Sequence, residues 1–317
     1  MLRAEATTLD GRLLTVTTTS TAHRSYRIPC STDLDVAKYE QIMKSLVFAT
    51  DIDVLGLDHQ LIRRDGYWVV RSPSNQTFWW GNFLMFDEPP AAGDRQRWEQ
   101  LFVREFADLP RVAHRTFGWD RVDGETGAAD PEFIARGYEL SRSTGLIAGA
   151  DALRAHPRES REVEIRALNP EVGKDEQLWT QLIDLQAAEP PPGTGGEYHL
   201  RFLRERQAGQ RKLLRAGRGG WFVALDGDQG VASLGIIVTD ARARYQQVDT
   251  LASHRRRGIA SRLLVEAARL TAAAHHVDHF VIVTDPEYHA IGIYESVGFK
   301  PVETVCALQL TPADANG

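Results

Sequence analysis

One segment constrains the fold of this chain more than any other, the stretch RYQQVDTLASHRRRGIASRLLVEAA at residues 244–268. Its first part, Tyr245–Leu251, has the length and alternation of a β-strand. Further along, apolar residues recur at helical spacing and form one stripe, at Ile259, Leu263, Ala267, Leu270 and Ala274. Between them lies SHRRRGIAS at 253–261, a short basic loop with small side chains. The segment therefore predicts a strand, a basic loop and a helix in direct succession.

The start of this helix is suited to an anion. The first N–H groups of a helix have no partner inside it, and the helix dipole favours negative charge there. Small side chains at Gly258, Ala260 and Ser261 let a phosphate approach those amides, and the arginines at 255–257 supply positive charge. The loop therefore predicts a pyrophosphate site, with a plain basic surface loop as the alternative.

The spacing of the loop excludes two common phosphate motifs and resembles a third. The chain has neither GxxxxGK[ST] nor GxGxxG after a strand in this segment. Arg255, Gly258 and Ala260 match Q/R-x-x-G-x-G/A, and this pattern resembles the acetyl-CoA loop of the GNAT acetyltransferases. Downstream, His279–Asp285 reads as a buried strand, and HAIGIYESVGFKPVE at 289–303 resembles the last signature of that family, a short helix ending in tyrosine before Gly-Phe.

The resemblance spans about Val163 to Leu310 and implies a fold and a cofactor. The fold class is α/β (α+β), a central mixed, mostly antiparallel twisted sheet flanked by helices. The co-substrate is acetyl-CoA, and no metal is implied. The backbone at Leu251, Ala252 and Ser253 is expected to pair with pantetheine, and the phosphate contacts are expected from Arg255, Arg256, Arg257, Gly258, Ile259, Ala260 and Ser261.

Tyr294 occupies the position that in many GNAT members protonates the departing CoA thiolate, and a phenol suits a thiolate leaving group. The alternative for Tyr294 is a core aromatic on a short amphipathic helix. Asp249 on the central strand is a candidate general base. Glu189 and Glu197, which flank the Pro/Gly stretch at 190–196, are candidates for the acceptor site. The family's Asn near the start of the tyrosine helix is absent from DPEYHAIGIY, so CoA is expected to be held differently on that side.

Composition narrows the function classes. With 317 residues the chain predicts about two domains, and a net charge of −6 argues against a general nucleic-acid partner. Cys30 and Cys306 alone form neither a disulfide framework nor a zinc site, and the histidines at 275, 276 and 279 are expected to be solvated. No apolar run long enough to span a membrane occurs, so we expect a cytoplasmic protein. The oligomeric state is not predicted.

The N-terminal half is interpreted as a second, degenerate copy of the same fold, with an unrelated α+β domain as the alternative. GYWVV at 66–70 parallels GGWFVAL at 219–225, and ARGYELS at 135–141 parallels SVGFKPVE at 296–303. In place of the basic loop stands DEPPAAGD at 87–94, which adds carboxylates and removes two amide donors at the prolines. Predicted elements here are a strand at Tyr26–Pro29, a helix from Asp33 to Ala49, and strands at Phe78–Phe86 and from Val112.

These observations give a domain plan and a function. Residues 1–24 are expected to form a tail or edge strand, 25–155 a degenerate GNAT-like domain, and 160–313 the catalytic domain. The predicted function is acetyl transfer from acetyl-CoA to a primary amine of a small molecule or peptide by direct attack. The alternatives are a non-catalytic acyl-CoA-binding sensor or scaffold, and a transferase for a larger acyl group.

Overall fold

The structure is a computed structural model, and it describes residues 43–129, 131–160, 162–188, 196–287 and 290–311. Within these ranges the strands are β1 Gln60–Arg64, β2 Tyr67–Arg71, β3 Phe83–Phe86, β4 Arg115–Trp119, β5 Glu139–Gly149, β6 Glu164–Ala167, β7 Gly219–Asp226, β8 Gln229–Thr239, β9 Arg242–Thr250, β10 His279–Thr284 and β11 Lys300–Leu310. The helices are α1 Leu46–Asp53, α2 Asp94–Glu105, α3 Glu176–Ala187, α4 Gly196–Arg215, α5 Ile259–Ala274 and α6 Ile291–Ser296.

All described strands join one mixed sheet in the order β1-β2-β3-β4-β11-β5-β10-β9-β8-β7-β6. Only β3–β4 and β9–β10 pair in parallel, and the other neighbours are antiparallel. The predicted fold class, a mostly antiparallel mixed sheet flanked by helices, is therefore confirmed.

The two halves of the chain exchange their last strands at the centre of this sheet. Strand β5 ends the N-terminal half, yet it pairs with β10 and β11 of the C-terminal half. Strand β11 ends the C-terminal half and pairs with β4 and β5. The strand order is symmetric about the β5–β11 boundary, so that β1, β2, β3 and β4 correspond to β7, β8, β9 and β10.

This symmetry supports a second copy of the fold and corrects one detail of the sequence comparison. Both halves run strand, strand, strand, helix, parallel strand, short helical turn, strand. GYWVV contains β2, whose counterpart is β8, whereas GGWFVAL forms β7. The predicted correspondence between these two segments is therefore wrong by one strand. Two neighbouring antiparallel strands show the same alternation of residues, so the sequence pattern does not distinguish them. The parallel between ARGYELS and SVGFKPVE agrees with the symmetry.

Helices cover both faces of the sheet and separate its cores. Helices α5 and α6 pack over β7–β10 on one face, with Leu263, Phe280 and Tyr294 in one buried cluster. On the other face, α3 and α4 pack with Trp179 and Trp221. Helix α1 also lies on this second face, because it packs in a cluster with β2, β3 and Val283. Along β10, Phe280 and Ile282 point to α5 on the first face, so Val283 points to the second.

Helix α1 begins later than predicted. The expected helix runs from Asp33 to Ala49, but residues 43–45 are not helical and the helix spans Leu46–Asp53; residues before 43 lie outside the described ranges. The reason is a set of carboxylate caps from distant strands. Glu303 accepts hydrogen bonds from the Val47 and Leu46 amides at 2.6 and 3.1 Å, and Asp120 accepts from the Ser45 amide at 2.9 Å. These anions stabilise a helix start at Ser45.

Two predicted strands are shorter in the structure. The prediction of a strand over Phe78–Phe86 is wrong in its first half, because Trp79–Gly81 forms a 3₁₀ turn and β3 begins at Phe83. The buried Asn82 side chain holds this turn by bonding the Ser72 amide and the Phe78 carbonyl. Likewise, the strand predicted from Val112 begins only at Arg115. A sequence pattern of alternating apolar and polar residues does not reveal such side-chain-to-backbone hydrogen bonds.

Several predictions from the sequence are not tested by the described residues. The strand at Tyr26–Pro29, the tail at 1–24 and Cys30 all fall in residues that the structure does not describe. The domain boundaries at 25–155 and 160–313 stay a prediction. Across the described ranges, we find no helix that is both long and apolar enough to cross a membrane.

The strand exchange predicts that a fragment cut between the halves folds poorly. A fragment of residues 158–317 lacks β5 and leaves the edges of β10 and β11 unpaired, so we expect aggregation or oligomers. A matched fragment of residues 138–317 keeps β5 between β10 and β11, and we expect it to aggregate less than 158–317, although the edge of β11 that pairs with β4 stays exposed. Size-exclusion chromatography with light scattering compares the two. A well-folded monomer of 158–317 would show that β10 does not require β5.

Candidate active site

The candidate site begins where the parallel strands β9 and β10 part. They pair only at Arg242, Ala243 and Arg244, opposite residues 279–281. Beyond this point β9 continues to Thr250 and β10 to Thr284 without pairing with each other. The backbone of residues 245–250 thus has an unpaired edge that faces β10 across an opening. Such an edge can accept an extended ligand as an added strand.

A bulge in β9 lies within this opening. The pairing with β8 shifts register between Gly235–Gln246 and Ser233–Asp249, and Gln247 has a positive φ of 50°. A bulge of this kind bends its strand and increases its twist. It therefore accompanies the separation of β9 from β10. After β9, residues Ala252–His254 form a 3₁₀ turn, so among the predicted pantetheine contacts Leu251 adjoins the strand whereas Ala252 and Ser253 lie in the turn.

The helix start predicted to bind phosphate is open at its N-terminus. Helix α5 begins at Ile259 after Gly258, which adopts a left-handed conformation with φ 73°, and no side chain caps the first turn. Ile259 and Ser261 bury their side chains in the protein, while Ala260 is half-buried. The orphan amides of this turn, together with the helix dipole, make a ready anion site.

The three loop arginines differ in their contacts. Arg257 pairs with Glu162 at 2.9 Å, and its other nitrogen lies 4.0 Å from Asp226. Arg255 donates from Nε to the Thr250 carbonyl at 3.1 Å, which ties the loop to the end of β9. Arg256 is exposed, has a positive φ of 60° and forms no ion pair with a described residue. Arg256 is therefore the arginine whose charge is available to an incoming anion.

Gly258 has a second role that the sequence did not reveal. A Cβ at this position would lie 1.9 Å from the Arg158 carbonyl oxygen, because the connection between the halves runs against the glycine. The Ser160 amide donates to the Gly258 carbonyl at 3.3 Å, and Arg262 donates to the Ser160 carbonyl at 2.9 Å. Gly258 is thus required for close backbone packing as well as for access to the helix start.

Tyr294 lies on the α5 side of the sheet. It is the buried residue of the short helix α6, with 7% of its surface exposed, and it belongs to the same apolar cluster as Ile259 and Leu263 of α5. Gly298 follows this helix with a positive φ of 116°, and the Phe299 amide donates to the Tyr294 carbonyl. The acid role of Tyr294 stays a prediction.

Asp249 lies beside a polar cluster on the opposite face that sequence reasoning missed. Burial lowers the pKa of the half-buried Arg206 on α4 to about 10, and the nearby Asp249 carboxylate opposes this shift. Arg206 also donates to Gln186, and the side-chain amides of Gln210 and Gln247 of the bulge lie 2.8 Å apart. The sequence signal for this inward polar row, which the sequence analysis did not use, is the i, i+4 spacing of Arg206 and Gln210 in an otherwise amphipathic helix.

The two glutamates expected at the acceptor site differ in what the structure shows. Glu189 lies outside the described residues. Glu197 is in the first turn of α4 and pairs with Arg204 at 3.2 Å on the exposed surface. In addition, the described residues contain no group of three or more metal-ligating side chains, and His276 pairs with Asp278 at 3.2 Å.

The part of the chain that forms this site matches a known protein family. Residues 217–301, from just before β7 to the start of β11, match the family model described as an acetyltransferase (GNAT) domain. These residues contain the opening, the basic loop and Tyr294. The C-terminal half therefore contains a GNAT acetyltransferase domain.

Solved structures share the GNAT fold at low identity. A functionally unknown conserved protein from Staphylococcus epidermidis superposes with a TM-score of 0.60 at 15% identity, covering 80% of this chain and 95% of that chain. A GCN5-related N-acetyltransferase from Kribbella flavida superposes with a TM-score of 0.52 at 16% identity, covering 85% and 94%. At such identities the likeness establishes the fold. No curated protein sequence matches the chain significantly.

The matching position in the N-terminal half lacks the features of the GNAT site. Strand β3 stays paired with β4 up to its last residue, Phe86, whose carbonyl then accepts from the Asp120 amide at 2.8 Å. No opening equivalent to that between β9 and β10 forms there. Among the described strands, a separation of two neighbouring parallel strands therefore occurs between β9 and β10 and not between β3 and β4.

The helix start of the N-terminal half is already occupied by carboxylates. Helix α2 follows Gly93, whose amide donates to Glu132 at 2.9 Å, and Asp94 accepts from the Ala91 amide at 2.9 Å. In the same loop, Asp87 is bound by Arg63 through two contacts of 2.5 Å. A phosphate here would meet protein anions in the place where the GNAT domain offers amides and arginines.

The packing of Gly258 predicts a large stability loss on substitution. Gly258→Ala should lower the free energy of unfolding by about 2–5 kcal/mol, which combines about 1–2 for a left-handed alanine with about 1–3 for overpacking. Gly217→Ala is the matched control, since Gly217 has φ 75° and no atom within 4 Å of its Cβ position, and it should cost about 1–2 kcal/mol. Urea denaturation measures both. Equal losses would contradict the close contact with Arg158.

The contrast between the halves predicts that one chain binds one acetyl-CoA. The N-terminal site would lose two or three charge-assisted hydrogen bonds, each worth about 1.5–3 kcal/mol, which lowers affinity by about two to six decades. Titration calorimetry of the whole chain with acetyl-CoA should give a stoichiometry near one. A stoichiometry near two would contradict the closed N-terminal site.

Proposed function

We propose that the chain is an acetyl-CoA-dependent N-acetyltransferase that transfers an acetyl group to a primary amine of a small molecule or peptide. One observation carries this proposal: an uncapped helix start with a basic loop adjoins an unpaired strand edge, in a domain that matches the GNAT model. An anion site next to an edge that accepts an extended chain suits a ligand with a pyrophosphate and an amide-bearing arm.

Acetyl-CoA would be held by groups that are otherwise unsatisfied. The amides from Arg256 to Ser261 face the pyrophosphate, and the exposed Arg256 supplies charge. The unpaired edge of β9 up to Leu251 pairs with the pantetheine arm. Because residues 252–254 turn away as a 3₁₀ helix, the arm is expected to run along the strand before this turn.

The reaction is a direct attack, without an acyl-enzyme. The amine nitrogen forms a bond to the acetyl carbonyl carbon, the carbon–sulfur bond breaks, and the thiolate takes a proton. Tyr294 on the α5 side is the proposed general acid for that thiolate, since a phenol near pKa 10 matches a thiol leaving group. Asp249, the candidate base from the sequence, lies near the Arg206 guanidinium of α4, and its role as a base stays a prediction.

The N-terminal half is proposed to wall the acceptor side. Its segment before β3 packs on α4 of the GNAT domain, where the ring centroids of Phe78 and Phe202 lie 5.4 Å apart. Trp79 donates to the Tyr198 hydroxyl at 3.3 Å, and Arg111 pairs with Glu205 at 2.6 Å. These contacts hold α4 and the polar row around Arg206 against β9. The predicted cytoplasmic location stays a prediction.

A thiol-release screen tests the proposal. The whole chain is incubated with acetyl-CoA and a panel of amino acids, polyamines, aminoglycosides and peptides with free N-termini, and free CoA thiol is measured. We expect amine-dependent thiol release with at least one class. Tight acetyl-CoA binding without release for any amine would favour the alternative, a non-catalytic acyl-CoA sensor or scaffold. Repeating the screen with longer acyl-CoAs tests for a transferase of larger acyl groups.

The proposed acid role of Tyr294 predicts a selective loss of rate. Tyr294→Phe should lower kcat by about 10²-fold or more, the usual size of a general-acid effect, and leave the Kd for acetyl-CoA nearly unchanged. The ring stays in place and keeps its packing in the apolar cluster. An unchanged kcat, with chemistry shown to limit the rate, would remove Tyr294 from the mechanism.

A further inference from the structure

The opening between β9 and β10 has two sides, and only one of them carries the CoA-binding features. Helix α5, its basic loop and Tyr294 lie on one side. If acetyl-CoA occupies that side, as proposed above, its thioester meets the acceptor amine from the opposite side. The groups on that opposite side at the opening are therefore the ones that can receive the amine.

One carboxylate of the N-terminal half lies on this opposite side. Arg244 is the last residue of β9 that pairs with β10, so it marks the closed end of the opening. Its neighbour Tyr245 points to α5, where its hydroxyl donates to the Leu264 carbonyl, and Arg244 therefore points the other way. There its guanidinium donates to Asp51 Oδ1 on α1 at 3.0 Å.

The Asp51 carboxylate is only half engaged. Its Oδ2 accepts no hydrogen bond from the described part of the chain, and 17% of the side chain is exposed. The Arg244 guanidinium is held in turn by Thr50 Oγ1 at 2.7 Å and by the Tyr245 carbonyl at 3.2 Å. One carboxylate oxygen is thus fixed by Arg244, and the other has no hydrogen-bond donor among the described residues.

A neighbouring pair provides the comparison. Asp53, two residues along α1, pairs with Arg242 at 2.6 Å, and their side chains are only 5% and 2% exposed. Arg242 lies in the part of β9 that is closed by pairing with β10, two residues from the opening. The pair Arg242–Asp53 joins the halves away from the opening, whereas Arg244–Asp51 lies at its end.

Two other carboxylates of this region, Glu303 and Asp249, already have partners. Glu303 accepts from the amides of Leu46 and Val47 and from the Ser45 hydroxyl, which uses both of its oxygens. Asp249 lies beside Arg206, whose charge it stabilises. Asp51 lies at the end of the opening, and one of its oxygens has no hydrogen-bond donor among the described residues.

We propose that Asp51 is the general base, contributed by the degenerate half to the site of the GNAT domain. It accepts the proton that the amine nitrogen loses as the carbon–nitrogen bond forms, while Tyr294 gives a proton to the departing thiolate. Solvent then takes the proton from Asp51 and restores that of Tyr294. The sum is amine plus acetyl-CoA giving amide plus free CoA thiol, with no further reactant.

The surroundings of Asp51 favour this task. Burial raises the pKa of Asp51 above its ordinary value, and Glu303 and Asp53 add to the rise, while the Arg244 guanidinium opposes it. A base with a raised pKa takes a proton more readily. Asp51 acts when deprotonated, so its contribution is present above its folded pKa and is lost as the pH falls through that value.

The test uses the whole chain, acetyl-CoA and whichever amine of the panel gives the highest rate. Asp51→Asn keeps the size of the side chain and the acceptor for Arg244 but removes the base, so kcat should fall by about 10²–10⁴-fold. The decline of kcat at low pH, measured at saturating substrates, should disappear. Asp51→Glu should restore part of the rate and that decline, and the Kd for acetyl-CoA should stay within about twofold.

The control is Asp53→Asn, which removes the carboxylate of the neighbouring pair. It should lower the Tm more than Asp51→Asn does, because it removes the carboxylate charge from the more deeply buried of the two ion pairs, and it should keep the parent's pH profile. If Asp51→Asn retains the parent's kcat and pH profile while the parent transfers acetyl groups, the base assignment alone is wrong. If no amine of the panel is acetylated by the parent, the inference falls together with the proposed function.

Discussion

The exchange of strands β5 and β11 is the constraint on which the rest of the structure depends. Strand β10 continues beyond Val281 without β9, and in this stretch its sheet partner is β5 of the other half. The pairs Ile282–Leu146, Val283–Gly145 and Thr284–Thr144 satisfy one edge of β10. This pairing holds β10 in place while β9 bends away, so the opening for a ligand is maintained by a strand from outside the GNAT domain.

The same symmetry shows how the candidate site of the C-terminal half differs from the matching position in the N-terminal half. Both copies place a left-handed glycine before the helix that follows the third strand of the copy, Gly93 in one and Gly258 in the other. In the N-terminal copy the glycine amide is bound by Glu132, and the strands stay paired. In the GNAT domain the helix start is uncapped and the strands separate. The backbone plan is shared, and local charge and strand pairing decide whether a ligand fits.

The sequence predicted the parts of the site that depend on local patterns. The strand, basic loop and helix at 244–268 and the tyrosine helix before Gly298 are each encoded within a short window. It did not predict what depends on distant contacts. The start of α1 is set by Glu303 and Asp120, and the proximity of Asp51 to Arg244 follows from packing between the halves. Alternation in β2 was assigned to the wrong counterpart, because neighbouring antiparallel strands carry the same period.

The buried ion pairs between α1 and β9 explain why the two halves act as one unit. Arg242 and Arg244 are buried on β9, and their carboxylate partners come from the other half. Separating the halves would break both ion pairs, and removing one partner of a buried pair costs about 3–5 kcal/mol where the other charge stays buried. Apolar residues would give a comparable or more stable interface, so stability alone does not account for charge at this position. A carboxylate kept at the end of the opening, with one oxygen free, has a reason to be there if the site uses it.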